Sequence, residues 1–486
     1  VYHILVSMGL IGCTAGSGDE VLIGPEVRVD HADDGVESGE PAACLGDDDT
    51  LHVVWTDDRL GYAGIYYNRS TDQGQTFLPA DLKLNQPLGD HQARAPQLGC
   101  VGERVFVVWE DLRDSTLDNP SVYFQVSDDG GDTWLAEDLA LDGDPDEQTA
   151  SREPRLAVAG SSLWVTWFDS RNGAYDVFVN ASTDAGGTWL GRPTRVDTDG
   201  EGDAWSGSPH IATDGAGLVV VAWEDLRSGW SDIRVNTSTD YGLSWALDDT
   251  RLDTDKPGGV DSFHPRVSAA AGRAYATWHA AADGVRADVA LAVAADGRTW
   301  TETPLRAPST EDFSADARYP QLAAQGDELW LAWQDDRAGG YDIFLRRSVD
   351  GGESWAAQES RLERDFDGEA QSYDPRILAP SGPDDDLVVV LWQDRRYDDE
   401  QVGFDDLFYN YSENRGETWA AFDYRIDGST PGSAWAIDPW LGRRGDDLHF
   451  VWADGRSGSS DILSHVLAIG EETVQIAVPA ESLDGP

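Results

Sequence analysis

Positive charge is what this chain has least of. Its 486 residues carry 35 Lys+Arg against 90 Asp+Glu, a formal net charge of −55. Lys83 and Lys256 are the only lysines, so almost all positive charge is arginine. That bias is the mark of GC-rich coding or of life in high salt. A surface this acidic repels phosphate backbones and anionic headgroups, which excludes nucleic acid and charge-driven membrane binding as functions. It suits a solvated outer face or bound cations.

A bilayer-spanning run is also missing from the N-terminus. The apolar stretch from Ile4 to Cys13 is too short to cross a membrane. Its end, Leu10-Ile11-Gly12-Cys13, resembles the lipobox of bacterial lipoproteins. The resemblance implies lipidation of Cys13, export to the cell envelope or beyond, and membrane contact only through that anchor. The other two cysteines, Cys44 and Cys100, follow Pro41 and Pro96 at similar distances. An exported chain could bridge them if their Cα atoms lie within roughly 7 Å. Two free buried thiols are the alternative.

A helical period is absent, and turn residues abound, with 51 Gly and 22 Pro. Apolar residues make up 40%, including 20 Trp, enough for a core. Their arrangement is a repeat. Each unit opens on an acidic loop and a proline: Pro41, Pro96, Pro154, Pro209, Pro265, Pro320, Pro375 and Pro439. An apolar strand then ends in Trp55, Trp109, Trp167, Trp223, Trp278, Trp333, Trp392 or Trp452. Each unit reads as four short strands, A to D, rich in β-branched and aromatic residues between turn signals. Eight such units predict an all-β, eight-bladed β-propeller of four-stranded antiparallel blades. The expected organisation is a signal and lipobox segment (1–13), a tether (14–25), the propeller (26–470) and a C-terminal strand or tail (471–486). Either Glu26–Asp30 or Thr473–Val478 can supply the outer strand that closes the ring.

Between strands C and D runs a Ser-x-Asp-x-Gly-x-Thr-Trp text, with Asp72, Asp129, Asp184, Asp240 and Asp350 at its centre and Asn414 in blade seven. A short Asp accepts backbone N–H groups in a tight turn, Gly takes φ > 0, and the aromatic wedges between sheets. These residues resemble the Asp-box (bacterial neuraminidase repeat) propellers of the sialidase superfamily over residues 26–468. The resemblance implies a sialidase-like propeller whose boxes lie away from the functional face.

A second repeated text, Trp-x-Asp-x-Arg, occurs in seven units, from Asp57/Arg59 to Asp454/Arg456. Such a carboxylate–guanidinium pair can tie adjacent blades. Blade five breaks it, with His279 and Ala280 after Trp278. That lapse of symmetry marks a candidate ligand edge.

Propeller ligands sit over the central channel, on the face of the D–A and B–C loops. There the sequence offers Trp205, Trp230, Trp435, His264, His279 and Tyr319 as ligand-binding candidates. Asp197, Asp199, Glu201 and Asp203 form a Gly-spaced acidic loop that could hold Ca²⁺, although no loop has EF-hand spacing. No cofactor is required by any motif. Sialidases hold a carboxylate with three arginines and use a Tyr nucleophile aided by Glu. The resemblance therefore implies Arg94, Arg152, Arg318, Tyr373 and Glu153 as catalytic candidates. The Phe/Tyr-Arg-Ile-Pro motif of that family is absent, and Asp374-Pro375-Arg376-Ile377 only echoes it. The expected function is binding of an extracellular glycan or protein by a monomeric, exported, lipid-anchored propeller. The alternatives are an exo-sialidase-like glycoside hydrolase and a structural or assembly module.

Overall fold

The computed structural model describes residues 26–33, 35–86, 91–113, 119–143, 149–253, 259–281, 286–307, 315–364, 371–398 and 403–468, with backbone alone for 302–307. The lipobox segment with Cys13, the tether and the tail strand 473–478 lie outside these residues. Among the described residues every regular element is a strand, and the strands form eight four-stranded sheets. In seven sheets strand order follows chain order, A-B-C-D. The A strands of successive sheets touch one another around a ring, and the first meets the last.

The ring closes by borrowing. Blade eight contributes Ala436–Arg444, Asp447–Asp454 and Asp461–Ala468, and its outer strand is Val27–Arg28. Val27 lies opposite Ser464 and Arg28 opposite Leu463. Of the two candidate segments, the N-terminal one thus supplies the latch.

Strand B reads as a continuous apolar run because it is covered on both faces by neighbouring blades. In Val219–Asp225 every residue is buried. The eight tryptophans that end these strands are all buried, none more than 1% exposed. Each removes about 150–250 Å² from water, worth roughly 4–6 kcal/mol before entropy is counted. Clusters of core residues span pairs of blades: Trp109 packs with Val54, Ile65 and Tyr67 of the preceding blade.

The Ser-x-Asp turns repeat one bond set. In blade four, Gly242 N–H donates to Ser238 Oγ at 2.8 Å and Ser244 N–H to Asp240 Oδ1 at 2.8 Å. Asp72, Asp129, Asp184 and Asp350 accept the equivalent N–H at 2.7–2.8 Å. Gly242 sits at φ 78°, and a Cβ there would meet the Trp164 ring at 2.9 Å. The aromatic that ends each turn packs between sheets, as Trp189 and Trp245 do.

The Trp-x-Asp-x-Arg unit ties each blade to itself. Asp225 accepts from Trp223 Nε1 at 3.2 Å and, bidentately, from Arg227 at 2.7 and 2.6 Å. Arg227 then reaches Asp249, beside strand D of the same blade. Arg59–Asp81, Arg113–Asp138 and Arg396–Asp423 repeat this within blades one, two and seven. The expected tie between adjacent blades is present as well: Arg171 donates to the Asp142 carbonyl of blade two at 2.9 Å, Asn85 of blade one donates to Asp111 at 3.4 Å, and Arg227 lies 3.8 Å from Asp199 of blade three. Other groups also stitch neighbouring blades. Ser151 Oγ donates to Asp169 of its own blade at 2.7 Å and lies 3.1 Å from the carboxyl of Asp142, after strand D of blade two. Asn68, Asn180, Asn236 and Asn410 each donate from strand C to a backbone carbonyl of the preceding blade. Cys44 and Cys100, on the A strands of blades one and two, form a disulfide with Cα atoms 6.0 Å apart.

Candidate functional site

The start of strand A builds the channel. In each blade the residue before the proline takes positive φ: Glu40, Ala95, Glu153, Ser208, His264, Tyr319, Asp374 and Asp438 lie between 47° and 55°. The strand register slips at the same point, between Arg152 and Arg155 in blade three, for example. Proline cannot donate to the ladder and an extra residue must bulge, so the two features belong together. The left-handed residue costs on the order of 1–2 kcal/mol, recovered only if its surroundings hold it. In alternate blades a side chain just after the strand B tryptophan does so. Glu110 accepts from Glu153 N–H at 2.6 Å, Glu224 from His264 N–H at 3.0 Å, and Gln334 from Asp374 N–H at 3.1 Å.

The bulge turns the residue after each proline toward the axis. All eight blades line one cavity of about 650 Å³, into which Arg155, His210, Arg266 and Arg376 project with Gln97 and Gln321. Glu40, Glu153 and Asp438 line it as well. Burial raises the Glu153 and Asp438 carboxyls, and pushes the neighbouring Glu224 up to about 7.

Over this channel, at blades five and six, lies an aromatic and histidine cluster. His264 stacks on His279 with centroids 5.1 Å apart, and Tyr319 sits 4.7 Å from His264 and 5.6 Å from His279. Phe263 lies 5.9 Å from His279. Burial lowers both imidazoles, His279 to about 3, with His264 as its next cause. The Nδ1 atoms of His264 and His279 are buried without a hydrogen-bond partner. Blade five lacks the Asp that would accept from its tryptophan, and Trp278 Nε1 is likewise left without a partner. Beside the cluster Arg318 Nε donates to Asp316, and Tyr341 OH donates to the same carboxylate at 2.6 Å. Two neutral rings, a phenol and a nearby guanidinium can bind a polyhydroxylated ligand by stacking and hydrogen bonding, and can exchange protons with it.

The structure gathers some sequence candidates and separates others. His264, His279 and Tyr319 come together. Trp205 packs on Phe168 at 6.2 Å and against Gly207, Trp435 packs into the core between blades eight and one, and Trp230 stands 55% exposed on its own turn. Arg94, Arg152 and Arg318 each bond within their own blade, to Glu110, Tyr175 and Asp316. Tyr373 lies under the guanidinium of Arg395, 4.9 Å from its ring centre. The arginines that share one cavity are instead Arg155, Arg266 and Arg376. The residue after each proline repeats at the same place in every unit, and that register was the available signal.

Among the acidic candidates, Asp197 and Asp199 meet Asp176, with carboxylate oxygens within 4.8 Å of one another. The three could hold a cation. Arg195 already spans them, at 2.7 Å from Asp197, 2.5 Å from Asp199 and 3.2 Å from Asp176. Arg425 spans Asp406 and Asp427 in the same way in blade seven. A cation would therefore compete with the guanidinium. Glu201 and Asp203 are exposed and stand outside this group.

Neither a protein-family model nor a curated protein matches the chain. Several solved structures are similar to it. An ulvan lyase, a polysaccharide lyase, is 12% identical over 76% of this chain and 93% of its own, with a TM-score of 0.50. A protein of unknown function from Dyadobacter fermentans is 13% identical, over 91% of this chain and 97% of its own, at a TM-score of 0.44. A Trypanosoma rangeli sialidase is 15% identical, over 65% and 54%, at 0.38. This chain is an eight-bladed β-propeller, a fold similar to that of glycan-processing enzymes.

Proposed function

We propose that this propeller is exported, anchored through Cys13, and binds an extracellular glycan at the channel mouth through His264, His279, Tyr319 and Phe263. The observation that carries the reading is the failure of symmetry in blade five. One blade drops the Asp and Arg that the other seven keep, and stacked histidines with unpartnered nitrogens stand beside that lapse. A repeated group serves the scaffold, and its loss at one place frees side chains for a ligand. The Cys44–Cys100 pair supports export, because structural disulfides persist in oxidising compartments. Sugar rings suit such a mouth, stacking on aromatic faces while hydroxyls meet imidazole nitrogens.

A glycan-cleaving enzyme is the second reading. The ulvan lyase of similar fold is a polysaccharide lyase, and imidazole and phenol side chains are among those that serve enzymes as general acids and bases. Fold alone transfers no chemistry.

A glycan array probed with the full chain tests the proposal, with product analysis on each retained glycan. Retention of a glycan set that Tyr319→Ala loses supports it, and product release would favour the second reading. An array on which nothing is retained would overturn it.

A further inference from the structure

Among the described residues most arginines are neutralised by a carboxylate. Arg59, Arg113, Arg227, Arg337, Arg396 and Arg456 each pair with two carboxylates. Among the described residues Arg155, Arg266 and Arg376 form no ion pair, although acidic residues outnumber basic ones by 90 to 35. Arg192, Arg298 and Arg364 share that lack but stand exposed to solvent, whereas these three are half-buried. Among the described residues the only hydrogen bonds from their guanidinium groups go to nearby main-chain carbonyls, Arg266 to Pro265 and Arg376 to Pro375 and Asp374.

Their placement follows from the eightfold repeat. They occupy one position, the residue after the proline, in blades three, five and seven, so they face the axis from alternate blades. Between them stand Gln97, His210 and Gln321. His210 Nδ1 accepts from Val267 N–H at 3.3 Å, which leaves its proton on Nε2 as a further donor. At the same position blade one supplies Ala42 and blade eight Trp440. Like charges facing one cavity repel: Arg266 is lowered to about 10 by burial, then by Arg155 and Arg376. The carboxylates of this region occupy the neighbouring ring, before the proline, as Glu40, Glu153, Asp374 and Asp438. Glu40, Glu153 and Asp438 line the same cavity, and Glu153 attracts Arg155 as Asp438 attracts Arg376, yet none closes an ion pair with these guanidinium groups. Donors left open in this way suit a bound acceptor that carries negative charge.

We propose that Arg155, Arg266 and Arg376, with His210, form an oxyanion-binding site on the propeller axis, beneath the mouth. The ligand is a sulfate-, phosphate- or carboxylate-type group, as a free ion or as the acidic group of a larger molecule. The site stands on the channel geometry and does not depend on the glycan reading.

The test uses the full chain at fixed ionic strength. Thermal unfolding is followed with sodium sulfate or phosphate against chloride, and calorimetric binding with D-glucuronate against D-glucose. Arg155→Gln, Arg266→Gln and Arg376→Gln are the variants, since Gln97 and Gln321 show that the position accepts glutamine. The expected result is stabilisation by sulfate or phosphate, or binding of glucuronate but not glucose, weakened at least tenfold in each folded variant. An effect of the inorganic ions identifies a free-ion site, and one seen with glucuronate alone identifies the acidic group of a sugar. Wild-type protein indifferent to all these anions would overturn the inference without any variant. So would stabilisation of equal size in a folded Gln variant.

Discussion

His264 and His279 lie face to face, 18° from parallel with centroids 5.1 Å apart, in the one blade that has lost its Asp-x-Arg turn. Two stacked imidazoles cannot both be charged at low cost, and burial keeps both neutral.

Acid should therefore destabilise the fold through these rings. His279 is depressed to about 3, and His52 and His465 to about 4, each mainly by burial. In the unfolded chain they take up protons near pH 6.5, so their contribution is complete above that value and is lost as pH falls toward 4. For His279 the loss reaches about 2 kcal/mol at pH 5, at 1.36 kcal/mol per unit. Melting curves from pH 7 to 5 should show a fall that is shallower in His279→Phe. Equal slopes would contradict this assignment.

Reduction should weaken the ring between blades one and two. The Cys44–Cys100 bridge closes a 56-residue separation, for which loop entropy gives about 4 kcal/mol. Cys44→Ser/Cys100→Ser should melt several degrees lower than the oxidised wild type and be insensitive to reductant. A thiol titration that finds both cysteines free in native, unreduced protein would remove the bridge.

The two repeated aspartates should differ in cost. Asp225 is buried and serves Trp223, Arg227 and Ser206, so Asp225→Ala leaves a guanidinium half-neutralised and should cost about 3–5 kcal/mol. Asp240 sits in an exposed turn, and Asp240→Ala should cost about 1 kcal/mol, as loss of a cap does. Urea denaturation of both variants checks the order.

Calcium should matter only when Arg195 is gone. The guanidinium already spans Asp176, Asp197 and Asp199. Arg195→Ala should melt lower than wild type and regain stability in millimolar calcium, while wild type stays unchanged. A wild-type melting temperature that drops on chelation would show a bound cation instead.

The fold was legible because each blade spells it out. Pro209, Trp223, Asp225 and Gly242 each answer to one local constraint, and their recurrence through the blades leaves a single architecture. The closing strand was not legible, because Val27–Arg28 and 473–478 are equally good edge strands and only the ring's geometry chooses. His264 and His279 could be singled out because blade five breaks the pattern, and the structure brings them together with Tyr319. The shared cavity of Arg155, Arg266 and Arg376 was hidden. The bulge before them swings the residue after the proline toward the axis, and a slip in register is invisible to strand alternation. Trp205 and Trp435 could be read from the sequence as aromatics near the channel, and the packing of one on Phe168 and of the other between blades eight and one could not.

The most direct measurement is the affinity of His264→Ala for a glycan that the wild-type chain retains. Ala95 holds the same left-handed position in blade two, so alanine fits the backbone there. The account predicts affinity at least tenfold weaker, about 1.4 kcal/mol, with an unchanged melting profile at pH 7. Wild-type affinity in a folded His264→Ala protein would contradict it and move the binding site away from blade five.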